Sequence, residues 1–297
     1  KRVELEPEPA GKRVRRVLVH NLDVFVKSDG RFLRWFNRFH VTTKARAIAT
    51  ESVIMPGMVW SDKLLYETVR NFRDPRFSSV AIATAVKSDE PGTVDVLIVT
   101  RDIWSLRANS DFRLQGGRLS YLRGSISENN ALGLRKLASV VIEMNESDFY
   151  VGPFWVDKNV AGKRYNLAAT GGPVFGRSSG AREGSYSEVD LSRPFFSLAT
   201  SWSYGLVWSQ RDYVARSFIA GRLRTYDAPE TEVDDAVPWE YRYTRFKLRS
   251  YAARRLGDYD DFVHRLTWGV QVASRRARFE RLRPDDPEVA QSFIDNV

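Results

Sequence analysis

The chain contains no cysteine and only three histidines, His20, His40 and His264. The first absence removes disulfides, thiol nucleophiles and cysteine-ligated zinc, and the scatter of the histidines gives no metal-ligand spacing. Serine, histidine and aspartate occur without a nucleophile elbow or an HExxH segment, and Gly171-Gly172-Pro173 lacks the lysine and serine of a phosphate loop. The expectation is therefore no enzyme and no cofactor. Long apolar runs are missing too. A spanning helix needs roughly 18 consecutive apolar residues, and the longest uncharged stretch, Pro194 to Gln210, is broken by Ser197, Thr200, Ser201, Ser203 and Ser209. That excludes a membrane helix but not membrane strands, which need only about 10 residues and hide their hydrophobicity in alternation. The chain begins at Lys1 with neither an initiator Met nor a signal sequence, which reads as a processed or trimmed product.

What is present is ordinary for a folded protein: 297 residues, 43% hydrophobic, 12% aromatic and 28% charged. The length suggests about two domains, though a single large β architecture can also absorb it. Lys and Arg number 46 against 37 Asp and Glu, a net charge of +9 that favours phosphates, anionic lipid or acidic polypeptide without choosing among them.

Residues 1–13 mix charges with Pro7, Pro9 and Gly11 and read as a linker. Val14 to Phe25 is a predicted strand, ended by Ser28-Asp29-Gly30. Phe32, Phe36 and Phe39 then fall on one helical stripe, with Arg31, Arg34 and Arg38 on other faces. A helix packing its rings on a sheet is favoured there over a basic nucleic-acid face. Ser61 is a good N-cap, Leu65, Val69 and Phe72 repeat at helical spacing, and Pro75 blocks continuation, so the spacing predicts a helix over 61–73. Ser79 to Val86 and Val94 to Thr100 flank Glu90-Pro91-Gly92 and predict a hairpin. Residues 14–105 thus read as an α+β domain in the order strand, helix, helix, strand, strand, with the helices on one face of a mixed sheet.

Beyond Trp104 a two-residue repeat takes over. Trp202, Tyr204, Leu206 and Trp208 alternate with Ser201, Ser203, Gly205 and Ser209; Leu266, Trp268, Val270 and Val272 alternate with Arg265, Thr267, Gly269 and Gln271. Ala138, Val140, Ile142 and Met144 alternate with Ser139, Val141 and Glu143, and Phe246 and Leu248 with Arg245, Lys247 and Arg249. A soluble sandwich would alternate as well. Long strands with rings on one side and mixed charge on the other, including Glu188 and Asp190, favour an antiparallel transmembrane β-barrel with a wet lumen over residues 112–297. Asp227 to Pro238, with Glu230, Glu232, Asp234 and Asp235, fits a solvated loop and no EF-hand spacing.

With these residues placed, the chain resembles the Omp85 superfamily, outer-membrane assembly factors built from periplasmic POTRA modules and a C-terminal barrel. Trp60-Ser61-Asp62-Lys63-Leu64, Phe77-Ser78-Ser79-Val80 and Gly92-Thr93-Val94-Asp95-Val96 are similar to POTRA positions, and Thr100 to Leu106 resembles the junction with the barrel. Ser127 to Leu134 resembles the first-hairpin motif, Val156-Asp157-Lys158-Asn159 an Asp-Pro-Asn turn with Lys158 replacing proline, and Arg193 to Leu198 another barrel segment. The resemblance implies a barrel of about sixteen strands where the tract after Trp104 has room for about eight. Neither the Arg-Gly-Phe lumen motif nor an aromatic-terminated closing strand near Phe293 to Val297 is found. The chain therefore reads as a POTRA-like module followed by a barrel truncated to about half its strands.

The function implied is insertion of client β-barrel proteins into the outer membrane by strand templating. The alternatives are a two-partner-type polypeptide secretion pore of the same superfamily, or a soluble β-rich module that binds a polyanion through Arg275, Arg276, Arg278, Arg281 and Arg283. The implied partners are unfolded outer-membrane protein clients, outer-membrane lipids and accessory assembly lipoproteins, with no nucleic acid; the implied location is the outer membrane, with a periplasmic N-terminal module. The expected sites are a POTRA edge for client pairing, at Val80, Ile82 and Thr84 of Val80 to Val86 or along Val14 to Phe25, and a seam strand at Leu119, Tyr121 and Gly124, weakened by Gly116, Gly117 and Gly124. Trp202, Tyr204, Leu206, Trp208 and Trp268 are expected to face lipid.

Overall fold

A computed structural model describes all residues except 1–2, 26–29, 37–39, 230, 233, 258–262 and 281–283. The expectations placed on Ser28, Asp29, Arg38, Phe39, Glu230, Arg281 and Arg283 lie outside the described residues.

The first part is a three-stranded mixed sheet with two of its three helices packed on one face. Strand β1 (Arg13–Leu22) is followed by α1 (Gly30–Phe36), α2 (Ala45–Glu51) and α3 (Asp62–Phe72), then by β2 (Ser78–Lys87) and β3 (Thr93–Asp102). The sheet order is β1-β3-β2, with β3 parallel to β1 and antiparallel to β2. Helix α3 begins as its sequence predicts: the Ser61 side chain accepts from Leu64 N, and Asp62 sits in the positive first turn. Its apolar stripe ends in fully buried Phe72, which joins Ile48, Ile54 and Trp60 over Val14, Val94, Val96 and Ile98 of the sheet. Short, uncapped α2 has no counterpart among the sequence expectations; it contributes Ile48 to this core. A bulge between Val14 and Val17 sets Arg15 and Arg16 against Asp95, and both donate to its carboxylate, at 2.7 to 2.9 Å. These bonds outweigh burial and hold the Asp95 carboxyl below the usual range.

Residues 103–105 lead from β3 into a nine-stranded antiparallel sheet. Its strands are β4 (Leu106–Gln115), β5 (Arg118–Ala131), β6 (Lys136–Met144), β7 (Asp148–Val160), β8 (Tyr165–Gly176), β9 (Arg182–Arg193), β10 (Trp202–Arg216), β15 (Glu240–Leu256) and β16 (His264–Phe279). Each pairs with its neighbours in this order, and among the described residues β4 and β16 are not paired with each other. Between β10 and β15 lie four two-residue strands, β11 (Phe218–Ile219), β12 (Arg222–Leu223), β13 (Thr225–Tyr226) and β14 (Val237–Pro238). The acidic loop expected over Asp227 to Pro238 thus leads into β14 and packs through Ala228 and Val237 against α4 (Pro287–Asn296), around buried Phe293.

One hydrogen-bonded row crosses all nine strands: Leu106, Glu128, Ala138, Trp155, Ala169, Val189, Trp208, Leu248 and Val272. On β6 the apolar residues run from this row toward Met144, one way along the sheet; on β10 and β16 they run the other way, toward Trp202 and Leu266. The apolar stretch is therefore displaced by six residues, about 20 Å along the strands, while β10 and β16 lie four and six strand steps from β6, about 19 and 29 Å. A level apolar band needs a strand tilt of about 35–45°, the inclination of strands in a membrane barrel.

The two faces of the three-stranded sheet give a clean stability test. Ile98→Ala in the module core should destabilise by about 2–5 kcal/mol, whereas Ile82→Ala on the opposite, exposed face should stay within about 0.5 kcal/mol. Denaturant melts of the two variants check this, and equal losses would refute the one-sided core.

Candidate functional site: open strand edges, two sheet faces and their junction

Strand β2 is an edge strand, as the pairing reading of Val80, Ile82 and Thr84 requires. Those three side chains stand on the face away from the helices, with Ile82 56% exposed, beside Leu97 and Val99 of β3. Part of the edge is already used. Glu6 N donates to Ala85 O and Lys87 N to Glu4 O, so the stretch expected to be a linker adds antiparallel to the end of β2, around the Leu5 to Val86 bridge. These bonds show that odd-numbered residues of β2 turn their peptide groups outward. By the two-residue repeat, Ala81 and Ala83 turn outward N–H and C=O groups that no strand pairs among the described residues, while Val80, Ile82 and Thr84 bond to β3.

The seam expectation is corrected. Leu119, Tyr121 and Gly124 lie in β5, which is paired on both sides, to β4 and β6. The sheet starts one strand earlier, at β4, whose residues are exposed throughout. Gly116 and Gly117 do not weaken a strand; with φ of 56° and 75° they form the two-residue turn joining β4 to β5, a conformation that favours glycine at both positions. The alternation Ala108, Ser110, Phe112 against Asn109, Asp111, Arg113 is too polar to announce β4 in the sequence.

The faces of the large sheet follow the alternation. Trp202 at 43% and Trp268 at 47% exposure, with Tyr204 and Leu206, stand on one side of a single layer, and Trp208 is half-buried on the same side. Trp202 and Trp268 meet edge-on at 5.8 Å, and the Tyr165 and Tyr204 hydroxyls share a hydrogen bond of 2.8 Å. No second sheet packs on this side among the described residues, so the sandwich arrangement is not observed. The opposite face carries Arg123, Glu143, Tyr150, Glu188, Asp190, Arg245, Lys247 and Arg249. There Tyr186 packs on Tyr150 at 4.3 Å and over Gly152, where a Cβ would clash. A groove of about 520 Å³ runs along this polar side. The arginine run divides, because Arg275 and Arg276 are adjacent on β16 and point to opposite faces, with Arg278 sharing the side of Arg276.

The module docks onto three turns at one end of the sheet. The sequence there carries one pattern twice: acid, x, Asn, x, x, Gly, x, Arg, at 128–135 and again at 157–164. In each turn the acid accepts from the Asn N–H, at 2.6 Å for Glu128 and 2.9 Å for Asp157. The Asn Oδ1 accepts from the Arg N–H, at 3.0 and 2.8 Å, and the Gly takes a φ of 70° or 73°. Each turn aims its arginine at the module. Arg135 reaches Glu51 at 3.0 Å and lies 4.7 Å from the Phe77 ring centre; Arg164 donates to Ser52 O and lies 4.1 Å from the Phe196 ring centre. Lys158 pairs with Asp74 at 3.2 Å, and in the third turn Leu198 N donates to the Glu67 carboxylate at 3.2 Å.

At the centre of the junction Asp102 accepts from Thr43 N at 2.7 Å and Thr43 Oγ1 at 2.8 Å, with His40 Nε2 at 3.1 Å. Burial alone would raise the Asp102 pKa, but bonds from His40, Thr43 and Asn21 outweigh it and hold the carboxyl below its usual value. A depressed folded pKa gives stability that is complete above the unfolded value of about 3.9 and lost as pH falls through the folded one. Asp102→Asn should therefore lose about 1–3 kcal/mol at neutral pH and show a shallower acid limb in pH-dependent melts; parallel limbs would rule out this role.

No family model matches the chain, and no curated protein matches it. Among solved structures it is similar to BamA from Haemophilus ducreyi lacking POTRA domains 1-3, with 12% identity and a TM-score of 0.48, over 89% of this chain and 49% of that one. It is also similar to CdiB from Acinetobacter baumannii, with 12% identity and a TM-score of 0.43, over 90% of this chain and 46% of that one. The chain thus spans about half the length of the solved chains it matches, and both of those are Omp85 superfamily members.

Proposed function

We propose that the chain is a POTRA-like periplasmic module with the adjoining part of an outer-membrane β-barrel, and that it inserts client β-barrel proteins by offering them strand edges. The observation that carries this reading is the tilted apolar band on one face of a single-layer sheet with a charged opposite face, since this arrangement meets acyl chains outside and water inside. Peptide groups left unpaired in hydrocarbon cost several kcal/mol each, so the reading requires strands that pair with β4 and β16. The same demand makes an unpaired β4 a template: a client strand that satisfies its edge is stabilised by main-chain bonds, largely whatever its sequence. Outward groups of Ala81 and Ala83 on β2 would hold an extended client in the periplasm in the same way. Clients, outer-membrane lipid and accessory lipoproteins are the proposed partners, and no step requires a catalytic residue. Secretion of a polypeptide along the polar face is the second reading, favoured by the groove over Glu188, Arg245 and Lys247.

Two measurements test the first reading. The protein expressed in its native reading frame should need detergent and change its gel mobility on heating; a water-soluble, heat-insensitive product would refute the barrel. Ala83→Pro deletes an outward N–H without breaking the β2 to β3 ladder. It should lower site-specific crosslinking of unfolded client to the module while leaving its melting unchanged, and undiminished crosslinking would sink the edge.

A further inference from the structure

Helix α1 does not lay Phe32 on the sheet as its sequence pattern predicts: Phe32 is 74% and Trp35 48% exposed, and Leu33 is exposed beside them; Phe39 and the side chain of Phe36, the other rings of the expected stripe, lie outside what the structure describes. A seven-residue helix that turns a phenylalanine, a leucine and a tryptophan outward is an unusual feature for a module otherwise packed around one core. Its charge is one-sided as well. From Gly30 to Thr50 there is no aspartate or glutamate, while Arg31, Arg34, Arg38, Lys44 and Arg46 are all basic.

The chain tethers this helix to the end of the large sheet. His40 is buried against Asp102, and Val41 O accepts from Asn130 Nδ2 at 2.7 Å. Lys44 N donates to Gly133 O at 2.8 Å. Trp35 is five residues from His40, so it lies within about 18 Å of that contact. The turn it is tethered to is itself apolar at its tip: Leu132 is 70% exposed and Val41 is exposed next to it. Leu132 lies four residues beyond Glu128, the row where the apolar stretch of β5 to β7 ends. That is about 13 Å along a tilted strand, within reach of the head-group layer that borders a hydrocarbon core of about 30 Å.

We infer that α1, with Val41 and Leu132, is an interfacial anchor that seats the module on the periplasmic leaflet of the membrane the large sheet spans. Aromatic and aliphatic side chains enter the boundary between acyl chains and head groups, where tryptophan is favoured. The flanking cations complement lipid phosphates, and arginine can keep its head in water while its stem lies on the apolar boundary. The anchor rests on the barrel reading above. It extends that reading by fixing the depth of the module at the leaflet.

These 297 residues hold no cysteine, so in the protein of the native reading frame, with any cysteine outside them replaced by serine, an introduced thiol is the labelling site. Phe32→Cys and, separately, Val270→Cys on the lipid-facing side of β16 are labelled with an environment-sensitive fluorophore. Each is reconstituted in vesicles of phosphatidylethanolamine and phosphatidylglycerol that carry a shallow spin-labelled lipid. Both labels should lose fluorescence to the quencher, and the loss at position 32 should shrink with Arg31→Glu and in vesicles of phosphatidylcholine alone. Quenching at 270 without quenching at 32 overturns the anchor and leaves the barrel standing. Absence of quenching at both positions overturns the barrel and the anchor with it. Shielding of position 32 that grows with protein concentration instead of lipid would assign the helix to a second copy, and would also overturn the anchor.

Discussion

Backbone hydrogen bonding is the constraint on which this structure turns. Every strand of the large sheet except β4 and β16 has both edges satisfied by neighbours, so the sheet holds together as one layer without a second sheet beneath it. A layer of this kind has no dry interior, and its stability in any solvent depends on what wets each face. One face offers Trp202, Leu206, Trp268 and Val270, the other Glu188, Arg245 and Lys247. Water on both sides would leave the first unfavourably hydrated by about 25 cal/mol for every Å² of apolar surface, a large total over nine strands. Hydrocarbon on one side removes that penalty and at the same time raises the cost of any open edge.

The alternation in the sequence was enough to assign these faces, because a period of two fixes which side chain points where once a strand is known to exist. Ser201 to Ser209 and Arg265 to Val272 are arranged as that period requires. The stripe and cap of α3 were equally legible, since Ser61, Leu65, Val69 and Phe72 act locally. Other features were not, for reasons that differ. Strand β4 alternates without strong contrast, so its position at the open edge came only from pairing. Helix α2 is too short for a periodic signal and is held by Ile48 in the core. Phe32 is exposed where its stripe predicted a buried ring, because periodicity gives a stripe but not what it packs against.

The junction illustrates a different limit. The residues of the two arginine-bearing turns were visible, yet the turns became informative only when their shared bonding showed one motif used twice. Each supplies its own acid and asparagine to shape the loop, leaving the arginine free to reach outward to Glu51 or to Ser52 O. Ion pairs at exposed sites are weak, but Arg135 is almost wholly buried beside Phe72 and Phe77, where loss of either partner strands a charge. Two such contacts, a third turn on Glu67 and the Asp102 cluster hold the module against rotation about a single hinge.

That rigidity bears on how an extended client would move from one edge to another. Strand β3 runs through residues 103–105 into β4, so the strand beside the β2 edge and the strand at the sheet edge are nearly continuous in the chain. If the module swung freely, a client paired to β2 would sample many orientations before meeting β4, and each ordering step would reduce the gain from its main-chain bonds. With Arg135, Arg164 and Asp102 fixing the module, the two edges keep one relation, and the entropy of alignment is met when the protein folds instead of each time a client arrives. The lead-in residues Glu4 to Glu6, already paired along Ala85 to Lys87, then limit where on β2 a client can start, leaving the stretch around Ala81 and Ala83 open. On the proposed reading, geometry of this kind would select a client by extended backbone and reach more than by side chain.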